Sequence, residues 1–496
     1  MTKAASPSAV VVGGGFAGLS VSAYLARDGY SVDLLEKNEA VGGRCSVLER
    51  DGYMFDMGPS WYWMPDVFER FFNHFGHSAS DFYDLKRLDP GYRIFFGPDD
   101  VVDVPASHDA LVDLFESMEA GAGEALLDFL REAGVKYEKG INELVHYPSL
   151  SVTEFMRFDL LKSLFELDLF ESVEKTVGKR FENEKLRRIL EFPVYFLGAL
   201  PSNIPALYTL MNYADLELGT WYPMGGMYEI VKGMEQVARE QGVRIHTGTS
   251  ISRGEAANGS VRALHNGTTS YAADVFVSGA DYAHTETWFD PSVRNYSDCY
   301  WQKRVMAPSS LLFYLGVDRE LPELQHHNLF FDESFEEFGR TIYTDPSWPD
   351  RPLLYVSAAS KTDPSVAPAG TENLVVLIPL APGLEDDDAQ RERLYEYAMD
   401  KLERYTGVRV RDHVVVREDF AMRDFSSRYN ALRGNAYGLA NTLTQTALLK
   451  PRLKNRRLKN LYYTGQLTVP GPGVPPSIIS GEVVAGQIRS DRNTTS

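Results

Sequence analysis

Three closely spaced glycines near the amino terminus can bring backbone amides up to a phosphate group. Gly13, Gly15 and Gly18 form the pattern G-x-G-x-x-G. The first glycine permits a tight turn, the second lets the backbone approach a pyrophosphate, and the third lets a helix pack closely on a strand. Amides at the start of that helix, around Phe16 and Ala17, then face the phosphate oxygens. The spacing predicts a dinucleotide-binding site.

An acidic residue follows the glycines at the distance expected for a ribose contact. A second apolar strand, Val32 to Leu35, ends in Glu36 and is followed by Lys37. A carboxylate at this place accepts hydrogen bonds from ribose hydroxyls and repels a 2′-phosphate. To position these side chains, the chain must form a strand at Ala9 to Val12, the glycine turn, a helix and the second strand.

A second group of glycines distinguishes the kind of dinucleotide. Gly42-Gly43-Arg44 follows Glu36 within one short loop. Here the sequence resembles the FAD enzymes of the amine oxidase and carotenoid desaturase group. The resemblance implies that the glycines admit the pyrophosphate and the flavin end of FAD, and that Arg44 lies beside them, where a charge-assisted contact to phosphate is reasonable. Gly58-Pro59-Ser60 extends the same resemblance, so we predict FAD as the cofactor.

Three adjacent large rings, Trp61-Tyr62-Trp63, follow directly. Aromatic side chains of this size usually pack in a core. The alternative interpretation is that they form a wall of a hydrophobic substrate tunnel.

Composition limits the partners and the compartment. The 496 residues carry 50 Lys and Arg against 69 Asp and Glu, a formal net charge of −19. This charge repels phosphate backbones, so nucleic acid is not an expected partner. Cys45 and Cys299 are too few for a disulfide framework or a metal site. The short polar lead before Ala9 contains no secretory signal, so we expect a cytoplasmic protein.

The middle of the chain, from residue 105 to about 220, is predicted to be mainly helical. Two stretches in it, Phe155 to Phe170 and Phe192 to Leu200, are strongly apolar but too short to span a bilayer. They are interpreted as buried helices or as a tunnel mouth that docks on a membrane surface. The second interpretation predicts peripheral association with the inner face of the cell membrane.

Two later regions complete the pattern of strands. Val243 to His246 and Tyr271 to Val277 are predicted strands, and the superfamily resemblance assigns an adenine contact to Ser250 or Ile251. Between residues 300 and 440 the chain is rich in strands, because its short apolar runs are β-branched and aromatic. These runs are Ser310 to Val317, Leu353 to Val356 and Leu374 to Ile378.

The C-terminal region contains a second diagnostic stretch. A strand leads to Thr464-Gly465, a loop rich in proline and glycine follows, and a helix is predicted from about Ser477, whose N-terminus would offer amides to the negative charge of a reduced flavin. With this stretch, residues 8 to 487 resemble the bacterial-type phytoene desaturase family. The resemblance assigns five further residues to the cofactor: Gly465, Gln466, Gly473, Val474 and Pro475.

The predicted fold is α/β with three parts. A Rossmann-like FAD-binding domain is assembled from the discontinuous segments 1–80, 220–290 and 445–496. A mixed-sheet substrate domain comprises 81–105 and 291–444. A helical, membrane-contacting subdomain comprises 106–219.

The resemblance implies FAD-dependent desaturation of a C40 carotenoid precursor, with phytoene towards lycopene as the main prediction. The partner is then a long apolar polyene, and a quinone or oxygen would reoxidise the flavin. The flavin would take a hydride while a base or water takes the proton. By resemblance, Arg304 and Asp281 are candidate catalytic residues, and no metal-ligand pattern is visible.

Four alternatives remain open at this point. They are a desaturase acting later in the pathway, of the carotenoid 3,4-desaturase type, a carotenoid isomerase, an amine oxidase-like flavoenzyme, and a non-catalytic carrier of the Rab GDP-dissociation inhibitor type. Retention of Glu36 and Gly42-Gly43-Arg44 argues against the carrier.

Overall fold

The computed structural model describes residues 6–150, 171–442 and 444–495. The predicted apolar helix from Phe155 to Phe170 therefore lies entirely outside the described residues. The described chain forms α-helices, mixed and parallel sheets, and short 3₁₀ and π turns.

A five-stranded parallel sheet carries the amino-terminal motif. Its strands come from three distant parts of the chain because parallel strands cannot be joined by tight hairpins. The first strand is buried from Ala9 to Val12, as expected for a parallel sheet covered on both faces. In spatial order the strands are β19 (Leu461–Tyr463), β13 (Val275–Ser278), β1 (Ser8–Val12), β2 (Ser31–Leu35) and β9 (Arg244–His246).

Two long helices pack together against this sheet. The helix Phe16–Arg27 follows β1, and the helix Val474–Thr495 lies beside it. The contact is so close that a Cβ on Gly481 would lie 2.6 Å from Ser20 atoms. The Ser20 hydroxyl donates to the Ile478 carbonyl at 2.7 Å, which fixes the two helices against each other.

A seven-stranded mixed sheet forms the second large layer. All its neighbouring strands are antiparallel except His327–Phe330 and Tyr92–Gly97, which are parallel. The helix Asp388–Thr406 covers it with apolar side chains such as Leu394 and Leu402. In spatial order the strands are β18 (Val414–Phe420), β14 (Ser309–Val317), β17 (Glu372–Leu380), β16 (Leu354–Ser357), β15 (His327–Phe330), β6 (Tyr92–Gly97) and β7 (Asp100–Val104).

Three small antiparallel sheets complete the strands. The prediction of a single strand from Tyr271 to Val277 is wrong in detail. The chain breaks it between Ala272 and Val275, so that its halves join different sheets. The small sheets are β10 (Arg253–Ala257), β11 (Ser260–His265) and β12 (Ser270–Ala272), then β3 (Val47–Arg50) and β4 (Tyr53–Asp56), and β5 (Leu85–Arg87) and β8 (Trp221–Pro223).

The described parts of the region from residue 105 to about 220 are mainly helical, as predicted. Ser107 caps its first helix, accepting from the Ala110 amide at 3.5 Å. No helix within the described part of the chain is long and apolar enough to cross a membrane. The remaining α-helices are Pro65–Asn73, His108–Met118, Ala122–Asn142, Val173–Gly178, Glu184–Glu191, Leu210–Asn212, Tyr228–Glu240, Tyr282–Glu286, Asp298–Gln302, Phe335–Gly339 and Met422–Tyr429.

The second apolar stretch of this region is buried rather than exposed. Phe192–Leu197 forms a 3₁₀ helix, and Phe192, Val194 and Leu197 are at most 7% exposed. These side chains therefore belong to the interior. The domain boundaries proposed from the sequence stay a prediction, although the parallel sheet does draw its strands from all three segments assigned to one domain.

The buried carboxyl of Asp215 makes the stability of the protein depend on pH. The Asp215 oxygens accept from the Tyr92 and Thr220 hydroxyls at 2.9 and 3.1 Å, and burial raises the pKa of Asp215 from 3.8 to about 7. The native state binds the Asp215 proton more tightly than the unfolded state does. The protonated carboxyl therefore stabilises the fold fully below about pH 4, and this stabilisation is lost as pH rises through 7.

We therefore expect the neutral variant Asp215→Asn to gain stability relative to the wild type as pH rises. Between about pH 4 and 7 the gain should be on the order of 1 kcal/mol per pH unit. Urea unfolding of both proteins at about pH 5 and pH 8 measures it. A difference between the two proteins that does not change with pH would contradict the expectation.

Candidate functional site

One large cavity lies between the parallel sheet and the mixed sheet. It encloses about 2720 Å³ not filled by protein, part of which is open to solvent. Nearly all the residues predicted to bind the cofactor line it: Gly13, Gly15, Phe16, Ala17, Glu36, Lys37, Gly42, Gly43, Arg44, Gly58, Pro59, Ser60, Ile251, Gly465, Gln466, Gly473, Val474 and Pro475.

The glycine turn has the geometry that its spacing predicted. Gly13 has a φ of +95°, a left-handed conformation that favours glycine. Gly18 does not line the cavity but lies against the turn, and a Cβ on it would stand 1.8 Å from the Gly13 carbonyl oxygen. The helix therefore starts directly against β1, and its first amides face the cavity without intrahelical acceptors.

Glu36 is buried at the end of β2 and organises the loop around the cavity. Its Oε2 accepts from the Gly14 amide at 2.6 Å, and its Oε1 accepts from the Asn38 amide and side chain at 2.8 and 2.9 Å. The carboxylate thus holds the glycine turn as well as facing the cavity. Nearby, the Lys37 ammonium donates to the Ser427 carbonyl at 2.5 Å, which uses its charge at the end of a helix.

Arg44 is a half-buried cation of the site. Gly42 precedes it with a φ of +118°, and a Cβ there would lie 2.3 Å from the Cys45 carbonyl oxygen. The Arg44 guanidinium donates to the Asn435 carbonyl at 3.3 Å. With its amide oxygen turned towards Arg44, Gln466 accepts from both terminal nitrogens at 3.1 and 2.9 Å. Burial lowers the Arg44 pKa, and its Nε has no partner among the described residues.

The carboxyl-terminal loop reaches the same cavity by a route that differs from the prediction. The last helix begins at Val474 rather than near Ser477, because Pro475 and Pro476 have backbone angles suited to a first helical turn. Neither proline has an N–H group. Of the first three helical positions, only Val474 can therefore offer an amide to a negative charge, fewer than expected.

The aromatic cluster divides between the cavity and the core. Trp61 and Trp63 line the cavity. Tyr62 does not, so its place in the predicted tunnel wall is wrong. Successive residues of an extended segment point in opposite directions. Tyr62 accordingly faces the core, where it stacks on Phe68 and contacts the Tyr83 hydroxyl at 2.9 Å.

From Trp61 the cavity continues as a channel of apolar side chains, which we call the apolar arm. Ring contacts run along it from Trp61 to Phe192 at 5.3 Å, from Phe192 to Phe331 at 6.0 Å, and from Phe331 to Phe335 at 5.0 Å. The arm is lined by Trp61, Trp63, Met64, Phe192, Tyr195, Leu197, Met211, Leu329, Phe331, Phe335, Phe338, Leu353, Leu354 and Tyr355.

The two candidate catalytic residues lie in different places. Asp281 lines the cavity, but its oxygens accept from the His284 and Leu432 amides, each at 3.1 Å. It caps a short helix, and burial raises its pKa while nearby Arg44 opposes the shift. A catalytic role for Asp281 stays a prediction.

Arg304 does not line the cavity. Its guanidinium lies 4.4 Å from the centre of the Tyr300 ring, so its candidacy as a catalytic residue is not supported by its position. The family resemblance concerned the position of Arg304 in the sequence, and it did not determine the direction of the Arg304 side chain.

Several lining residues gave no signal in the sequence. Tyr429 and Tyr437 come from a segment without a clear period, yet the Arg44 guanidinium lies 5.3 Å from the centre of the Tyr429 ring. Leu329 and Tyr355 come from strands of the mixed sheet, and only the sheet order brings them beside Ser60 and Trp61.

The glycine-rich end of the cavity fits a dinucleotide diphosphate. Gly15 and Gly43 approach so closely that a Cβ on Gly43 would lie 3.2 Å from the Gly15 Cα. This leaves a backbone cradle, and the unpartnered Nε of Arg44 supplies a buried donor beside it. Glu36 supplies the acidic residue that a ribose requires.

Comparison with known proteins agrees with this geometry. A family model described as "Flavin containing amine oxidoreductase" matches residues 16–489. The chain is 42% identical over 494 residues to a carotenoid 3,4-desaturase of Haloarcula japonica, covering 99% of this chain and 100% of that protein. It is 32% identical over 492 residues to a zeta-carotene-forming phytoene desaturase of Myxococcus xanthus, covering 97% and 93%.

Among solved structures, an oxidoreductase from Methanosarcina mazei has the same fold. The TM-score is 0.64 at 18% identity, covering 97% of this chain and 100% of that one. These findings confirm the predicted α/β fold and FAD as the cofactor. Bound FAD supplies a two-electron acceptor, and the glycine cradle, Glu36 and Arg44 are the residues that would hold it. The chain belongs to the flavin-containing amine oxidoreductase family and, within it, to the carotenoid desaturases.

Proposed function

We propose that the protein desaturates an already extended acyclic carotenoid near one end of the chain, as a 3,4-desaturase does. The full-length similarity to the Haloarcula japonica 3,4-desaturase supports this substrate over phytoene, since the Myxococcus xanthus phytoene desaturase is less similar, at 42% against 32% identity. The alternative of a carotenoid 3,4-desaturase type is therefore favoured over the main prediction from the sequence, which was phytoene towards lycopene.

The observation that carries the proposal is the continuity of the two ends of the cavity. Ser60 belongs to the glycine-rich end and Trp61, the next residue, begins the apolar arm. A long hydrocarbon in the arm would therefore end beside the cofactor. Such a ligand offers no hydrogen-bonding group, so its affinity comes from buried apolar area, at about 25 cal/mol per Å².

The charges of the cavity are distributed to suit this division. Among the residues that the structure describes, no Asp, Glu, Lys or Arg lines the apolar arm. Apolar walls exclude water, so a cationic centre formed on the polyene would not be quenched by solvent. The charged residues of the lining belong to the glycine-rich end and its flanks: Glu36, Lys37, Arg44, Asp281 and Arg428.

Peripheral membrane association and reoxidation by a quinone or oxygen belong to the same proposal. A long polyene dissolves in membranes and not in water, so we expect the protein to collect it from a membrane surface. Co-sedimentation of the FAD-loaded protein with anionic and neutral vesicles tests this part.

Expression in two pigment-producing hosts tests the substrate. In a host that accumulates lycopene, we expect a product whose absorption is shifted to the red, because each added conjugated double bond lengthens the chromophore. In a host that accumulates phytoene, we expect no coloured product. Chromatography with absorption and mass detection identifies the pigments, and an empty vector is the control.

Conversion of phytoene with no change in lycopene would overturn the choice of substrate. A lycopene isomer of unchanged mass would instead indicate an isomerase, since desaturation removes two hydrogens at each step.

A further inference from the structure

A chain of three polar side chains leaves the apolar arm beside the cofactor end. The Tyr355 hydroxyl donates to Ser60 Oγ at 2.9 Å, and Tyr355 Oη lies 2.7 Å from His327 Nδ1. Ser60 and Tyr355 line the cavity, whereas His327 is completely buried behind them. The chain therefore leads from the cavity surface into the protein.

The mixed sheet holds this chain rigidly. In the antiparallel pairing of β15 and β16, His327 lies opposite Ser357 and Leu329 lies opposite Tyr355. His327 and Tyr355 consequently project from the same face of the sheet, as diagonal neighbours. Trp61 of the apolar arm stacks on the imidazole, with ring centres 4.0 Å apart.

Packing alone does not explain the histidine. Its Nε2 is buried and has no hydrogen-bond partner among the residues that the structure describes. Buried polar atoms are almost always paired, so an unpaired ring nitrogen calls for a role. A phenylalanine or leucine would fill the same space beneath Trp61 without this cost.

We propose that Ser60, Tyr355 and His327 form the route by which the substrate proton leaves the apolar arm. This inference rests on the proposed function. One C–H bond of the polyene breaks and its electron pair leaves as hydride to bound FAD, which is reduced. The adjacent carbon loses a proton to Ser60 Oγ, and the electrons of that second C–H bond form the new C=C bond of the oxidised substrate.

The proton then moves by exchange along the chain. With the Tyr355 hydrogen turned from Ser60 Oγ towards His327 Nδ1, Ser60 passes its own hydroxyl proton to Tyr355, which passes its proton to Nδ1 and leaves an imidazolium. Hydroxyl hydrogens rotate freely, so each hydroxyl can accept on one side and donate on the other. Nδ1 accepts when the ring proton is on Nε2.

The electrostatic setting is consistent with this role. Burial, with a smaller effect of neighbouring His326, lowers the pKa of His327 well below its usual value, so the resting ring is neutral and has a free lone pair. A polyene cation is a far stronger acid than an imidazolium, so even a weakly basic imidazole can accept its proton. Ser60 is the group placed to meet the substrate, while Tyr355 and His327 act through it.

Rapid-mixing measurement of flavin reduction by the carotenoid substrate tests the route. We expect Tyr355→Phe and Ser60→Ala each to slow the limiting reduction rate about 100-fold, with little change in the substrate concentration at half-saturation. The double variant should be no slower than either single variant, because both break one chain. Ser60→Thr, which keeps the hydroxyl, should recover most of the rate.

Tyr83→Phe is the matched control. It also removes a hydrogen-bonded tyrosine hydroxyl, in this case one bonded to Tyr62 in the core, and its reduction rate should equal that of the wild type. Wild-type reduction rates in Tyr355→Phe, or additive losses in the double variant, would overturn the route. Failure of the proposed function itself looks different, because the wild-type flavin would then stay oxidised.

A second readout does not depend on turnover. In FAD-loaded protein labelled with ¹⁵N-histidine, the imidazole signals lost in His327→Gln identify His327. We expect a neutral ring with the proton on Nε2 and an accepting Nδ1. A ring protonated at Nδ1 would overturn the route, because Tyr355 could not then pass a proton to it.

Discussion

Replacing Gly18 by alanine is expected to reduce the affinity for FAD by at least about 100-fold. The added Cβ would stand 1.8 Å from the Gly13 carbonyl oxygen, a distance that no backbone can tolerate. The helix Phe16–Arg27 must move away from β1, and this displaces the amides that face the cavity. Titration of apoprotein with FAD, followed by flavin fluorescence, measures the loss.

Gly486→Ala is the matched control for this variant. Gly486 also lies inside a helix, Val474–Thr495, but nothing lies within 4 Å of the Cβ it would receive. Alanine is favoured over glycine in helices by up to about 1 kcal/mol, so this variant should bind FAD normally and melt slightly higher. Normal FAD binding by a folded Gly18→Ala protein would contradict the assignment of the turn.

Replacing Phe331 by aspartate is expected to abolish use of the polyene while leaving FAD in place. Phe331 lies in the middle of the apolar arm, between the rings of Phe192 and Phe335. The change removes about 2–3 kcal/mol of apolar contact and places under the hydrocarbon a carboxylate that must lose its water. We expect kcat/KM for the carotenoid to fall at least about 100-fold.

The companion variant Phe331→Leu separates polarity from shape. It keeps an apolar wall, so kcat/KM should remain within about tenfold of the wild type. FAD content and reduction by dithionite should match the wild type in both variants, because no cofactor-binding residue is changed. Equal activity of the aspartate and leucine variants would show that the polyene does not occupy this arm.

The cofactor end could be predicted because its determinants are local. The glycine spacing fixes backbone angles within a few residues, so Gly13, Glu36 and Gly42 lie where the pattern placed them. The strands Ser309–Val317 and Glu372–Leu380 also follow their apolar runs, with ends that differ by at most two residues.

Features set by tertiary packing could not be predicted in the same way. Tyr62 faces the core because its extended neighbours Trp61 and Trp63 face the cavity, and the sequence alone does not fix that phase. The start of the last helix was missed because two prolines were interpreted as loop residues. The pairing of His327 with Tyr355 depends on sheet register between strands separated by more than twenty residues.

We propose that FAD bound in the glycine-rich end oxidises a polyene held in the apolar arm. A single turnover without oxygen tests this, with FAD-loaded protein mixed with lycopene, phytoene or a simple amine in separate samples. We predict that lycopene bleaches the flavin and forms an equal amount of a carotenoid with a longer chromophore, while the other two leave the flavin oxidised. Bleaching by the amine, or by phytoene with none by lycopene, would contradict this account.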